Sequence, residues 1–144
     1  MILSDIDLRA AIVDHRIVER LGPDAIQPCS IDVRLCGSLA LLDERVEIDP
    51  GADRWGRYDT LAIPPGGWPL LPGRFALGST RERVQVPDDM VCLAIGLASL
   101  ARVGLSAEMT GLVDAGFVGT VTMELRNVGP APIRLRAGMP IGQL

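Results

Sequence analysis

Glu124, Asp114 and Arg102 are the side chains whose type and setting allow chemistry. Val118 to Leu125 alternates, with Val121, Met123 and Leu125 on one face and Thr120, Thr122 and Glu124 on the other. A carboxylate in a partly dry pocket can take a proton from water and return one later. From the pattern alone, though, Glu124 reads as a solvated strand glutamate. Arg102 and Asp114 stand among small residues in the stretch 95–119, IGLASLARVGLSAEMTGLVDAGFVG, which holds five glycines. Glycines let the backbone approach a ligand or a neighbouring subunit closely. Loops around a ligand and loops packed about a symmetry axis fit this stretch equally.

Other chemistries are excluded by residue type. Zinc-dependent nucleobase deaminases carry H-x-E and P-C-x-x-C. Here the single histidine, His15, is followed by Arg16 and Ile17, and Pro28-Cys29 by Ser-Ile-Asp, so no zinc site is expected. All 14 basic residues are arginine, which leaves no lysine for a Schiff base or a general base. Net charge is -4 and aromatic residues are 3% of the chain, so neither a basic face nor a base-stacking platform for a nucleic-acid polymer is present. No apolar run reaches the roughly 18 residues that span a bilayer, and two aspartates stand where a signal peptide carries positive charge. The expected location is cytoplasmic, with Cys29, Cys36 and Cys92 reduced and packed as small apolar groups.

The elements that must position these residues are mostly strands. With 144 residues and 48% hydrophobic content, the chain makes one domain with a real core. Ser4 followed by Asp7 predicts a helix start, and Leu8, Ala11 and Ile12 continue it, giving a helix over 5–15 with His15 at its C-terminal end. There His15 reads as a partner for free carbonyls. Ile31, Val33 and Leu35 alternate as a half-buried strand. Further strands are expected at 74–80, 84–86, 91–95, 118–125, 132–135 and 141–144, separated by turns such as Pro64-Pro-Gly-Gly. Many short strands with Gly/Pro turns predict an all-β sandwich or barrel.

Several segments resemble dCTP deaminases, nearly end to end. MILSDIDLRAAI is similar to that family's opening and QPCSIDVRL to its first strand motif; LPGRFALGSTRERVQVPDDMV and TMELRNVGPAPIRLRAGMPIGQL are closer still. The resemblance implies a distorted β-barrel of the dUTPase-like, β-clip kind with a short N-terminal helix, forming a homotrimer with sites between subunits. It implies conversion of dCTP to dUTP with no metal held by protein ligands, magnesium accompanying the triphosphate. In the pattern E-L-x-N, Glu124 takes the place of the acid–base glutamate. Asp114 takes that of an aspartate that holds the sugar 3′-hydroxyl or positions water, and Phe117 that of an aromatic near the sugar. Arg102 matches an arginine that reaches phosphates, an intersubunit salt bridge being the alternative.

The same resemblance marks departures. The family's G-[KR]-S-S-L-x-R reads here Gly96-Leu97-Ala98-Ser99-Leu100-Ala101-Arg102, so Leu97 removes a cation and Ala98 a hydroxyl while Ser99 remains. Glu108 stands where a histidine is usual, with Thr110 beside it as a substrate contact. The sequence ends at Gly142-Gln143-Leu144, where the family continues into a C-terminal tail. The expectation is an enzyme that deaminates a deoxycytidine nucleotide or a related pyrimidine nucleotide through Glu124, with a weakened triphosphate grip. The alternatives are a barrel repurposed for a less charged metabolite and a catalytically silent trimer that binds nucleotide or protein.

Overall fold

The structure, a computed structural model, describes residues 2–15, 17–109 and 111–144. Thr110 and the side chain of His15 therefore lie outside the described residues, and with them the roles expected of both. The chain runs from α1 (Asp5–His15) through β1 (Val18–Glu19), β2 (Ile26–Gln27), β3 (Ser30–Arg34) and β4 (Ser38–Leu42). After a 3-10 turn at Pro50–Ala52 come β5 (Tyr58–Ala62), β6 (Trp68–Leu70), β7 (Phe75–Ser79), β8 (Arg83–Gln85) and β9 (Cys92–Gly96). A single helical turn, α2 (Ala98–Ala101), leads to β10 (Leu105–Met109), β11 (Gly111–Val113) and β12 (Val118–Gly119). The chain closes with β13 (Thr122–Asn127), β14 (Ile133–Leu135) and β15 (Pro140–Gln143). None of the described helices is long and apolar enough to cross a membrane.

The helix begins where the sequence places it. The Asp7 amide donates to Ser4 Oγ (3.3 Å), and the Ser4 amide donates back to Asp7 Oδ2 (3.1 Å), a reciprocal capping box. Leu8 and Ala11 are buried, but Ile6 and Val13 remain 74% and 78% exposed, so apolar residues stand on both helix faces.

The described strands pair into four sheets rather than one continuous ring. One five-stranded sheet runs β10-β13-β7-β4-β5 and another β11-β9-β15-β3-β2, with smaller sheets β1-β8-β12 and β14-β6. Mostly β with two short helices is the architecture observed. Inward side chains of both large sheets meet in one core: Leu39, Ala76, Leu105, Met123 and Leu125 from the first, Val33, Ala94 and Ile141 from the second. Burial of these chains drives the association of the two layers.

Three expectations need correction. Residues 95–119 are not a set of loops: α2, β10 and β11 lie within them. The apolar residues Leu105, Ala107 and Met109 alternate inward there, a strand signal hidden among small residues. The stretch 118–125 is two strands in different sheets, broken at Thr120 and Val121, where the Val121 amide donates to Thr80 Oγ1 (3.0 Å). Cys29 is exposed rather than packed, while Cys36 and Cys92 are half-buried; all three are free.

Candidate active-site face

The alternation of β13 puts Met123, Leu125 and Asn127 inward and Thr122, Glu124 and Arg126 outward. On the neighbouring edge strand β10, Ser106 and Glu108 point outward in the same way. The antiparallel register then sets Glu108 directly opposite Glu124 and Ser106 opposite Arg126. On the other side of β13, Leu77 lies opposite Glu124, Phe75 opposite Arg126 and Ser79 opposite Thr122. Two carboxylates thus share one spot, flanked by one arginine, small hydroxyls and an apolar strip.

Ser106 Oγ donates to Glu108 Oε1 (3.2 Å), which holds that carboxylate along its own strand. Glu124 has no hydrogen-bond or ion-pair partner among the described residues, and neither does the side chain of Arg126. The surroundings of Glu124 within this chain are an open sheet face. One open depression of about 360 Å³ lies beside Arg9 and Gln27, and another of similar size beside Asp43 and Trp68 reaches this face at Phe75.

Asn127, the last residue of E-L-x-N, is a structural part of the face. It is fully buried, and its Nδ2 donates to Leu70 O and Ala131 O (both 2.8 Å) while Oδ1 accepts from the Gly129 amide (2.9 Å). These bonds tie the end of β13 to β6 and to the turn that follows, so the strand carrying Glu124 cannot slide.

The segment from Gly96 to Arg102 leads from β9 into β10. Helix α2 lies against β10, and Gly96 at the end of β9 comes so close to β10 that a Cβ would overlap the Ala107 carbonyl oxygen. Gly104, with φ of +90°, turns the chain from α2 into β10 close to Gly129. Leu97 is half-buried; its amide donates to Ile141 O (3.2 Å), and its carbonyl accepts from Leu100 and Ala101. Ala98, Ser99 and Arg102 are exposed, and Arg102 makes no ion pair among the described residues. Ser99 and Arg102 thus stand on the exposed segment that leads into β10.

Asp114 and Phe117 lie apart from that group. They bracket a turn after β11, closed by the Phe117 amide donating to Asp114 O (3.2 Å), with Gly116 at φ of +78°. Phe117 packs half-buried on the main core, and Asp114 is exposed. This turn hangs between the second large sheet and β12, while Glu124 belongs to the first. The ladder brings Glu108 and Glu124 to one face, and Asp114 and Phe117 lie on another element. No three His, Cys, Asp or Glu side chains converge as metal ligands among the described residues. Ser106 and Arg126 were missed in the sequence; the alternation of Leu105-Ser-Ala-Glu-Met109 and of β13 carried their signal.

A protein-family model described as dCTP deaminase-like matches residues 2–144. A protein of Thermobifida fusca named "dCTP deaminase, dUMP-forming" is 43% identical over 150 residues, covering 100% of this chain and 76% of the relative. One of the same name from Nocardia farcinica is 45% identical, covering 100% of this chain and 75% of the relative. The crystal structure of the 2′-deoxycytidine 5′-triphosphate deaminase of Agrobacterium tumefaciens superposes with a TM-score of 0.79 at 22% identity. That match covers 98% of this chain but 46% of the crystallised one, and at this identity it speaks to the fold alone.

Proposed function

The chain belongs to the dCTP deaminase-like family, and from that premise we propose that it hydrolytically deaminates a deoxycytidine nucleotide, dCTP to dUTP, or a related pyrimidine nucleotide. The observation that carries this reading is Glu124: outward on β13, opposite Glu108, and without a hydrogen-bond or ion-pair partner among the described residues. A strand glutamate with no such partner, at the position the family motif gives to its acid–base group, is available for proton transfer.

In this reading Glu124 takes a proton from water as the oxygen adds to the pyrimidine carbon that bears the amino group. It returns a proton as that group leaves as ammonia. Arg102 and Ser99, exposed beside β10, reach toward the phosphates, and Asp114 accepts from the sugar 3′-hydroxyl with Phe117 packed against the sugar. A magnesium ion, where the triphosphate brings one, rides on phosphate oxygens and needs no protein cage.

The working form is a homotrimer with barrel-like subunits, acting in the cytoplasm where nucleotides are held. Two features support assembly. Glu124 lies on an open face while Asp114 and Phe117 sit on another element, an arrangement that suits groups supplied by more than one copy. Val91, Leu93 and Ile95 form an exposed apolar row, 61%, 64% and 50% accessible, of the kind that subunits cover.

The second reading, a site repurposed for a less charged metabolite, is favoured by one observation. At the start of α2, Leu97 and Ala98 offer neither the cation nor the hydroxyl that a triphosphate would use. Losing charge-assisted bonds worth about 1.5–3 kcal/mol each weakens such a ligand by orders of magnitude. The deciding experiment is release of ammonia, with dUTP and dUMP measured, from dCTP and magnesium, beside the folded Glu124→Gln variant. Turnover lost in the variant supports deamination by Glu124. Equal turnover in the variant removes Glu124 from the mechanism, and a folded but inactive wild-type chain moves the search to uncharged ligands or to a silent binding trimer.

A further inference from the structure

We infer that Glu108 is a specificity-determining residue that reads the substituent on the reacting pyrimidine carbon and admits an amino group while rejecting a carbonyl. The inference deepens the deaminase reading and rests on it.

Glu108 and Glu124 are register partners in an antiparallel ladder, which places their Cβ atoms roughly 4.5–5.5 Å apart on one face. If Glu124 handles the water that adds to the amino-bearing carbon, the neighbour opposite it lies beside that carbon's substituent. An ionised carboxylate only accepts hydrogen bonds, and it has about four acceptor sites. Ser106 uses Oε1 of Glu108 and fixes its direction, while Glu108 keeps capacity for a ligand donor. The amino group of a cytosine base is such a donor. The carbonyl oxygen of a uracil base is an acceptor at the same place, and it would face two anionic oxygens with no proton between them.

The other groups on this face do not undo that preference. From β13 they are Thr122 and Arg126, and from β7 they are Phe75, Leu77 and Ser79. Arg126 is the one cation among them, and it pairs with Ser106, one step along the ladder from the carboxylates. The fold gains nothing from the arrangement, since like charges opposite each other destabilise a sheet and Glu108 is exposed. Its selective use is therefore at the ligand.

The test compares wild type with Glu108→Gln and Glu108→Ser, measuring KM and kcat for dCTP. In parallel, the α,β-imido analogue of dUTP, which resists phosphate cleavage, is titrated as an inhibitor of the same reaction. The ratio of its inhibition constant to the KM for dCTP should fall about tenfold or more in both variants, because an amide or hydroxyl can donate to the uracil oxygen. Glu108→Asp, which keeps an acceptor-only group, should hold the ratio nearer to wild type. A general structural defect would lower kcat or raise both constants together without changing their ratio. A ratio unchanged within twofold in both variants, with wild-type turnover present, overturns the role of Glu108 and leaves that of Glu124 standing. A wild-type chain without dCTP turnover overturns both.

Discussion

Arg34 Nε lies 2.7 Å from Glu82 Oε1, and the Glu82 side chain is fully buried. The other carboxylate oxygen accepts from the Arg34 backbone amide (2.8 Å), while Arg34 Nη2 donates to Arg20 O (2.7 Å). One residue of β3 therefore satisfies a buried charge and pins the loop before β2. Removing only the arginine would leave that charge uncompensated. Arg34→Met is expected to cost about 3–5 kcal/mol in denaturant unfolding, whereas the double change Arg34→Met/Glu82→Leu should recover a large part of it. A single variant within 1 kcal/mol of wild type would show that water reaches Glu82.

Asn127 gives a second stability prediction at the site's foundation. Its amide serves three backbone groups on β6 and in the turn after β13. In Asn127→Ala the Leu70 carbonyl loses its partner in a buried position, while the Ala131 carbonyl and Gly129 amide lose theirs nearer the surface, so the loss should be about 1–3 kcal/mol. Asn127→Asp should be nearly as harmful, because a carboxylate cannot donate to Leu70 O and Ala131 O. Thermal unfolding checks both, and full stability in either would mean that ordered water replaces the side chain.

The sequence was most legible where local signals agreed with the packing. Ser4, Asp7, Leu8 and Ala11 specify α1, and Ile31, Val33 and Leu35 specify the inner face of β3, because capping and period-two burial are properties of a few neighbouring residues. It was less legible from 95 to 119. There β10 carries only Leu105, Ala107 and Met109 as inward residues, and glycines on either side mask the alternation. At the site, Glu124 was found by motif, but its partnership with Glu108 depends on the register of two strands 16 positions apart at the paired residues. No spacing rule in a single chain reports that register. The separation of Asp114 and Phe117 from Glu124 is likewise a matter of sheet topology.

The facing carboxylates carry a cost that can be measured without substrate. Like charges at register partners destabilise a ladder, so Glu108→Gln should raise stability by a few tenths to about 1 kcal/mol. Salt should stabilise wild type more than the variant, since it screens exposed charges beyond roughly 10 Å at 0.1 M and weakens nearer ones. Equal salt slopes in thermal unfolding would mean that Arg126 already neutralises the pair. Gained stability together with lost base discrimination is the signature of a residue kept for its ligand rather than for the fold.

Cys92 provides a pH-dependent check on the packing of β9. Burial pushes its thiol up to about 11 from an ordinary 9.0. In the unfolded chain the thiol loses its proton near 9, while in the folded chain it keeps it until about 11. Between those values the folded state binds more protons, so stability falls as pH rises from 9 to 11 and is unaffected by this group below 9. Cys92→Ala should flatten that decline relative to wild type in unfolding measured across the same window. At pH 8 iodoacetamide should label exposed Cys29 quickly and leave Cys92 as the protonated, unreactive thiol. Rapid labelling of Cys92 in folded protein, with no difference between the two pH profiles, would show that β9 opens and that the core beneath the apolar row is looser than its packing implies.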